Sequence, residues 1–138
     1  MIIIFITILA LFLINFEPTN GQALKHYGVH ITNALESTQT NLTLHCKSGD
    51  DDRGEQHLNP GDMFSWGLKV NFWETTLYFC HFYWENKDIS FDVFNTEVEG
   101  RKCKLSRQCY WFVKADGFYF RCDSPDESNY WVKQHDWP

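Results

Sequence analysis

Apolar and polar residues alternate along most of this chain with a period of two. Residues 30–34 alternate, and residues 41–46 put Leu42, Leu44 and Cys46 on one face with Thr43 and His45 on the other. Residues 63–70 bring Phe64, Trp66, Leu68 and Val70 to one side. Residues 76–84 form the richest run: Tyr78, Cys80, Phe82 and Trp84 face one way, and Leu77, Phe79, His81 and Tyr83 the other. Residues 89–94 set Ile89, Phe91 and Val93 against Ser90, Asp92 and Phe94. Side chains alternate across a strand, so such runs, rich in β-branched and aromatic residues, predict strands. No stretch sustains a 3.6-residue repeat.

Asp116-Gly117 marks a hairpin between residues 109–115 and 118–122, because Asp-Gly suits a type I′ turn whose central residues need positive φ. A two-residue loop there pairs Ala115 with Phe118, Val113 with Phe120 and Trp111 with Cys122. Cys109, Trp111, Val113, Phe120 and Cys122 then share a face. A last short strand is expected near residues 129–134. About eight strands without helical partners predict an all-β domain, a two-sheet antiparallel β-sandwich. The stretches 47–62 and 95–108 read as its long loops.

The N-terminus follows another pattern. Residues 1–14 are apolar apart from Thr7, a run too short for the roughly 20 residues of a spanning helix. Polar residues follow from Glu17 to Asn20, and Gly21 and Ala23 stand at −3 and −1 of a cut after Ala23. This predicts a signal peptide over residues 1–23 and a secreted, extracellular domain over residues 24–138, with a retained anchor as the alternative. Glu17 is the segment's one charge, so the net charge moves from −6 to −5 on cleavage. That balance argues against nucleic acid or an anionic membrane as partner. No second apolar run follows, so no membrane insertion is expected after cleavage.

Five cysteines, Cys46, Cys80, Cys103, Cys109 and Cys122, all lie beyond the signal segment. In an oxidising compartment they read as two disulfides with one thiol left over. Spacing does not choose the pairing, and a buried, inert leftover thiol is the plainer expectation.

Chemistry is sparse by comparison. His45 beside Cys46 and His81 beside Cys80 fit no compact zinc motif, and neighbours on a strand point to opposite faces. Asp50, Asp51, Asp52 and Glu55 could hold calcium, but Gly54 occupies a ligand slot, so a solvated turn reads better. No GxSxG or HExxH frames a nucleophile or a metal, so no enzyme, metal or cofactor is expected. Arg101, Lys102, Lys104 and Arg107 gather around Cys103 as a basic recognition lobe or a merely solvated loop. Each aromatic taken singly reads as core. Asn41-Leu42-Thr43 is an N-x-[ST] sequon, with Asn41 on the outward face and open to glycosylation.

Taken in order, these segments resemble a known family. His45-Cys46-Lys47-Ser48 with Asp50, Asp51, Asp52 and Gly54 is similar to the HCKS…DD-G segment of the plant self-incompatibility S-protein homologues. Thr75 to Cys80 with Phe82 and Trp84 resembles its TTL-aromatic-aromatic-C-F-W strand, and Phe91 to Phe94 resembles the opening of its C-terminal motif. Cys103, Cys109-Tyr110-Trp111 and Asp116 to Tyr119 resemble its C-terminal part. Cys46, Cys80, Cys103 and Cys109 match the family's four cysteines, whereas Cys122 is additional and either stays out of a bridge or displaces one partner. Arg53 stands where the family often has an apolar residue.

The resemblance implies a secreted plant ligand held by disulfides. Founding members act as pistil-side determinants recognised by a pollen membrane protein. The expectation is a monomer that meets a cell-surface protein receptor through two loops. One carries Asp50, Asp51, Asp52, Arg53 and Glu55; the other carries Arg101, Lys102, Lys104 and Arg107. The alternatives are a carbohydrate-binding module, which would show exposed coplanar aromatics, and a defence or toxin-like protein acting on membranes.

Overall fold

The structure, a computed structural model, describes residues 24–36, 41–123 and 130–138. The expected signal segment lies outside the described residues, as does Asn129 at the start of the last expected strand. Among the described residues nine strands succeed one another: β1 (His26–Asn33), β2 (Leu42–Lys47), β3 (Asp52–Leu58), β4 (Met63–Lys69), β5 (Leu77–Trp84), β6 (Lys87–Asn95), β7 (Gln108–Lys114), β8 (Gly117–Cys122) and β9 (Val132–His135). A single-turn helix, α1 (Glu99–Lys102), lies between β6 and β7.

They form two sheets, ordered β4-β1-β7-β8-β9 and β3-β2-β5-β6. Because the chain runs alternately up and down, two odd-numbered strands placed side by side must be parallel. This happens at β1 and β7, where Val29 lies opposite Cys109 and Ile31 opposite Trp111. The other pairs are antiparallel, as expected for a sandwich.

The alternating pattern sets the inner faces. Tyr27, Val29, Ile31, Trp66, Leu68, Trp111, Val113, Phe118 and Phe120 of the first sheet are buried against Leu42, Leu44, Tyr78, Phe82, Trp84 and Val93 of the second. Phe118 meets Phe82 and Phe91 at centroid distances of 4.9 Å, and Tyr27 meets Phe94 at 5.1 Å. Burying aromatics of this size between sheets dominates the stability of such a core. In the core, Trp111 Nε1 donates to the Val93 carbonyl at 3.0 Å, joining the sheets, whereas the buried Trp66 and Trp84 Nε1 atoms have no hydrogen-bond partner among the described residues. Asn33, fully buried, donates from Nδ2 to the Leu58 carbonyl and accepts from the Leu35 N–H.

The structure corrects four expectations. Residues 47–62 are not all loop, since β3 pairs along β2 as an edge strand. Its single apolar residue, Leu58, gave no alternating signal, and backbone pairing rather than burial makes it a strand. Residues 95–108 contain α1. Phe94 faces inward, because a register shift opposite Tyr78 and Phe79 turns both Val93 and Phe94 to the core.

The hairpin register is the fourth. Val113 pairs with Phe118, Trp111 with Phe120 and Cys109 with Cys122, so the turn is one residue earlier than Asp-Gly implies. The slip moves pairings by two positions, which keeps every inward residue inward. Gly117 (φ 143°) explains it: a Cβ there would collide with the His135 carbonyl and come 2.6 Å from Lys133 Cε. Glycine thus sits in the ladder so that β9 can approach.

Two disulfides form. Cys46–Cys80 joins directly opposed residues of β2 and β5, and Cys103–Cys122 ties the segment after α1 to the end of β8. Cys109 lies outside both bridges and is buried. The additional cysteine therefore takes the place that the family pattern gave to Cys109. Both bridges lie toward the same end of the sandwich, where β2, β4, β6 and β8 finish. We call it the disulfide end. No helix among the described residues is long and apolar enough to cross a membrane.

Candidate functional site

Topology gathers the charged segments. The disulfide end carries residues 48–51 between β2 and β3, residues 70–76 between β4 and β5, and residues 96–107 between β6 and β7. Both predicted charge clusters therefore converge on one end, although they lie some fifty residues apart in sequence.

The acidic cluster divides on close view. The buried Tyr78 donates its hydroxyl to Asp51 Oδ2 at 2.5 Å, and Arg53 approaches the same oxygen at 3.4 Å. Burial, then the carboxylate beside it, pushes the Tyr78 phenol up to about 12. Asp51 is thus anchored to the core. Asp52 accepts the Gly54 N–H at 2.8 Å and bonds His45 Nε2 at 2.5 Å, which together hold its carboxyl below the usual range. Asp52, Arg53 and Glu55 belong to strand β3 rather than to a loop, and Glu55 pairs with His57 on the outer face. Asp50 remains at the exposed tip, accepting from Ser48 Oγ at 3.1 Å. A cleft of 580 Å³ opens beside it, lined by Ser48, Asp50, Asp51, Lys69, Asn71 and Thr75.

The basic cluster also divides. Arg101 pairs with Glu97 one turn earlier, and Lys102 stands 5.6 Å over the Phe120 ring. Arg107 adopts φ 58° where its carbonyl accepts the Gly28 N–H at 2.9 Å, bringing the chain into β7. Beneath them Glu99 is buried and accepts the Asn95 N–H at 3.0 Å; burial raises its carboxyl above the ordinary value. Lys104 is exposed and shares a small cavity of 180 Å³ with Lys25, Glu74 and Arg101.

Between the two clusters stand side chains that the pattern reading treated as core. Phe72 and Trp73 are 79% and 77% exposed, edge to face with centroids 5.1 Å apart. The signal was available: two adjacent aromatics, set between Asn71 and the pair Thr75 and Thr76, cannot both enter one face of a strand. The sequon residue Asn41 is exposed at the opposite end, before β2.

Other polar groupings serve the sheets. On the outer face of the second sheet His45 and His81 are cross-strand partners, yet each turns away, His45 to Asp52 and His81 to Asp88 at 2.8 Å. Cys46 and Cys80 point inward into their bridge. Among the described residues no three histidines, cysteines or carboxylates gather as a metal site. On the outer face of the first sheet His30 lies between Ser65 Oγ and Gln108 Oε1, each at 2.7 Å. A neutral amide in third place offers no charge to an imidazolium, and the trio clamps β4, β1 and β7 together.

Fold and site together define a disulfide-bonded β-sandwich with its loops of mixed charge collected at one end. Residues 28–137 match the family described as plant self-incompatibility protein S1, and the chain belongs to that family. Relatives from Arabidopsis thaliana include S-protein homolog 18, 38% identical over 96 residues, which are 70% of each chain. S-protein homolog 2 is 39% identical over 64% of this chain and 56% of its own length. S-protein homolog 6 is 38% identical over 67% of this chain and 66% of its own. The fold is similar to a solved self-incompatibility protein homologue, described as one of a widespread family of small, highly stable, secreted plant proteins. That likeness has a TM-score of 0.58 and 20% identity, covering 82% of this chain and 98% of the other.

Proposed function

We propose that this protein is a secreted ligand that binds a cell-surface protein receptor through its disulfide end. The observation that carries the reading is the convergence there of three loops, with Asp50 on one side, Lys104 and Arg107 on the other, and both disulfides holding the base. Rigid strands supply a scaffold and loops supply specificity. Cross-links at the binding end reduce the ordering cost of association. Family membership agrees with this role, as does the signal segment expected over residues 1–23. A glycan on Asn41 would leave the surface clear, because that residue is at the far end.

The ring geometry speaks against a carbohydrate-binding module. Phe72 and Trp73 meet at 87° and form no flat platform. On the first sheet His30 stacks on Tyr110 and Phe112 on Trp131, and the Arg121 guanidinium lies over both Tyr110 and Trp131.

The test is binding of the labelled, secreted protein to plasma-membrane vesicles from the plant's own tissues. The expected result is saturable binding that protease treatment of the vesicles abolishes. Reversing Asp50 to Lys, or Lys104 and Arg107 to Glu, should slow association in a salt-dependent way. Binding that is unsaturable, or indifferent to protease, would contradict the proposal.

A further inference from the structure

We propose that Phe72 and Trp73 are the anchor of this interface and insert into an apolar pocket on a folded protein partner. This rests on the receptor reading above and adds to it the side chains that carry the affinity.

Two large aromatics displayed together on one tip are uncommon on a monomer, because each leaves apolar surface in water that a core would remove. Here the display is built. The Asn71 N–H donates to Thr76 Oγ1 at 2.7 Å, and Asn71 Oδ1 accepts the Thr75 N–H at 2.9 Å. The Glu74 N–H closes on the Asn71 carbonyl at 3.0 Å, with Glu74 at φ 55°. Before the tip, the buried Val70 donates its N–H to the Lys25 carbonyl at 2.8 Å. The loop is fastened at both feet, and its aromatic crown stands mostly in solvent. Aromatics pre-positioned in this way, ringed by charges, are the composition of an interface hot spot.

Charge selects the occupant. Asp50 lies to one side of the tip, across the cleft that Asn71 and Thr75 also line. On the other side Lys104 and Arg101 share a cavity wall with Glu74 and Lys25. A rim of both signs around an apolar centre fits a protein surface with a pocket flanked by opposite charges. A bilayer would favour basic flanks alone, and a sugar would want a flat ring face.

The experiment compares dissociation of wild type, F72A/W73A, F72Y/W73F and D50K from the plasma-membrane vesicles. Parallel arms use protein-free phosphatidylcholine and phosphatidylserine vesicles, and plasma-membrane vesicles stripped of glycans. Both side chains are exposed, so all variants should melt with the wild type. The expected result is dissociation of F72A/W73A about thirty-fold faster or more, with F72Y/W73F near wild type and D50K changed mainly in association. Wild-type affinity in F72A/W73A would overturn the anchor and leave the receptor reading standing. Equal binding to protein-free vesicles, loss of binding on glycan removal, or self-association of the protein through this pair would assign the tip another occupant and overturn it too. Absence of saturable wild-type binding would remove the receptor reading, and the anchor with it.

Discussion

Asp51 and Tyr78 show how one hydrogen bond can fix a recognition loop. The phenol is buried and its carboxylate partner is half-exposed, so the bond fastens residues 48–51 to β5 rather than leaving them to solvent. Tyr78→Phe removes the donor and strands the carboxylate oxygen with Arg53 alone. Urea unfolding should show a loss of about 1–2 kcal/mol, with faster hydrogen exchange at residues 48–51. His135 offers a pH-dependent counterpart. It stacks on Phe91 at 4.0 Å, and burial holds its pKa below 6.5. The unfolded chain therefore takes up this proton first. The stability that depends on neutral His135 is complete above about pH 6.5 and is lost as pH falls through and below that value. His135→Phe keeps the ring packing and removes the proton site. Its unfolding free energy should fall less than that of the wild type between pH 7 and pH 5.

At the scale of elements, Gly117 decides where β9 lies. Gly117→Ala would push a methyl into the His135 backbone and place alanine at φ 143°. The expected cost is about 1–3 kcal/mol, with exchange protection lost first across β9. The hairpin also shows what the sequence could and could not convey. Its two strands and their inward faces were legible because alternation reports the face, but a slip of two residues leaves that report unchanged. β3 was illegible for the opposite reason: an edge strand held by its backbone has no need of an apolar face. Phe94 failed because a bulge breaks the period that the reading assumes. At the candidate site, the charges were visible as clusters. That Asp51 is committed internally depended on Tyr78, 27 residues away in sequence, whereas the Arg101–Glu97 pair is four residues apart and needed only the turn of α1 to be recognised. Phe72 and Trp73 escape a residue-by-residue reading because only their adjacency, not their individual hydrophobicity, signals that they cannot both enter the core.

Across the whole molecule, both disulfides brace the end that carries the loops. Each closes a chain segment, of 34 and 19 residues, and should contribute about 3–4 kcal/mol on the loop-entropy estimate. Cys109 is buried beside Cys122 but outside the bridges. Peptide mapping of the wild type and of Cys109→Ser should return the same Cys46–Cys80 and Cys103–Cys122 linkages. In the wild type, the Cys109 thiol should react with an alkylating agent only after unfolding. A Cys103–Cys109 linkage would instead mean that β7, not β8, is the strand tied to the helical segment.

The claim on which the account turns is that the disulfide end is the surface that meets the receptor. It is tested most directly by a photocrosslinking residue placed in turn at Lys104 and Trp73 on that end, and at Asn59 and Glu85 on the opposite end. Each protein would be irradiated on plasma-membrane vesicles. The account predicts a protein adduct from the first two positions and none from the second two. Adducts formed mainly from Asn59 or Glu85 would place recognition at the other end of the sandwich and contradict it.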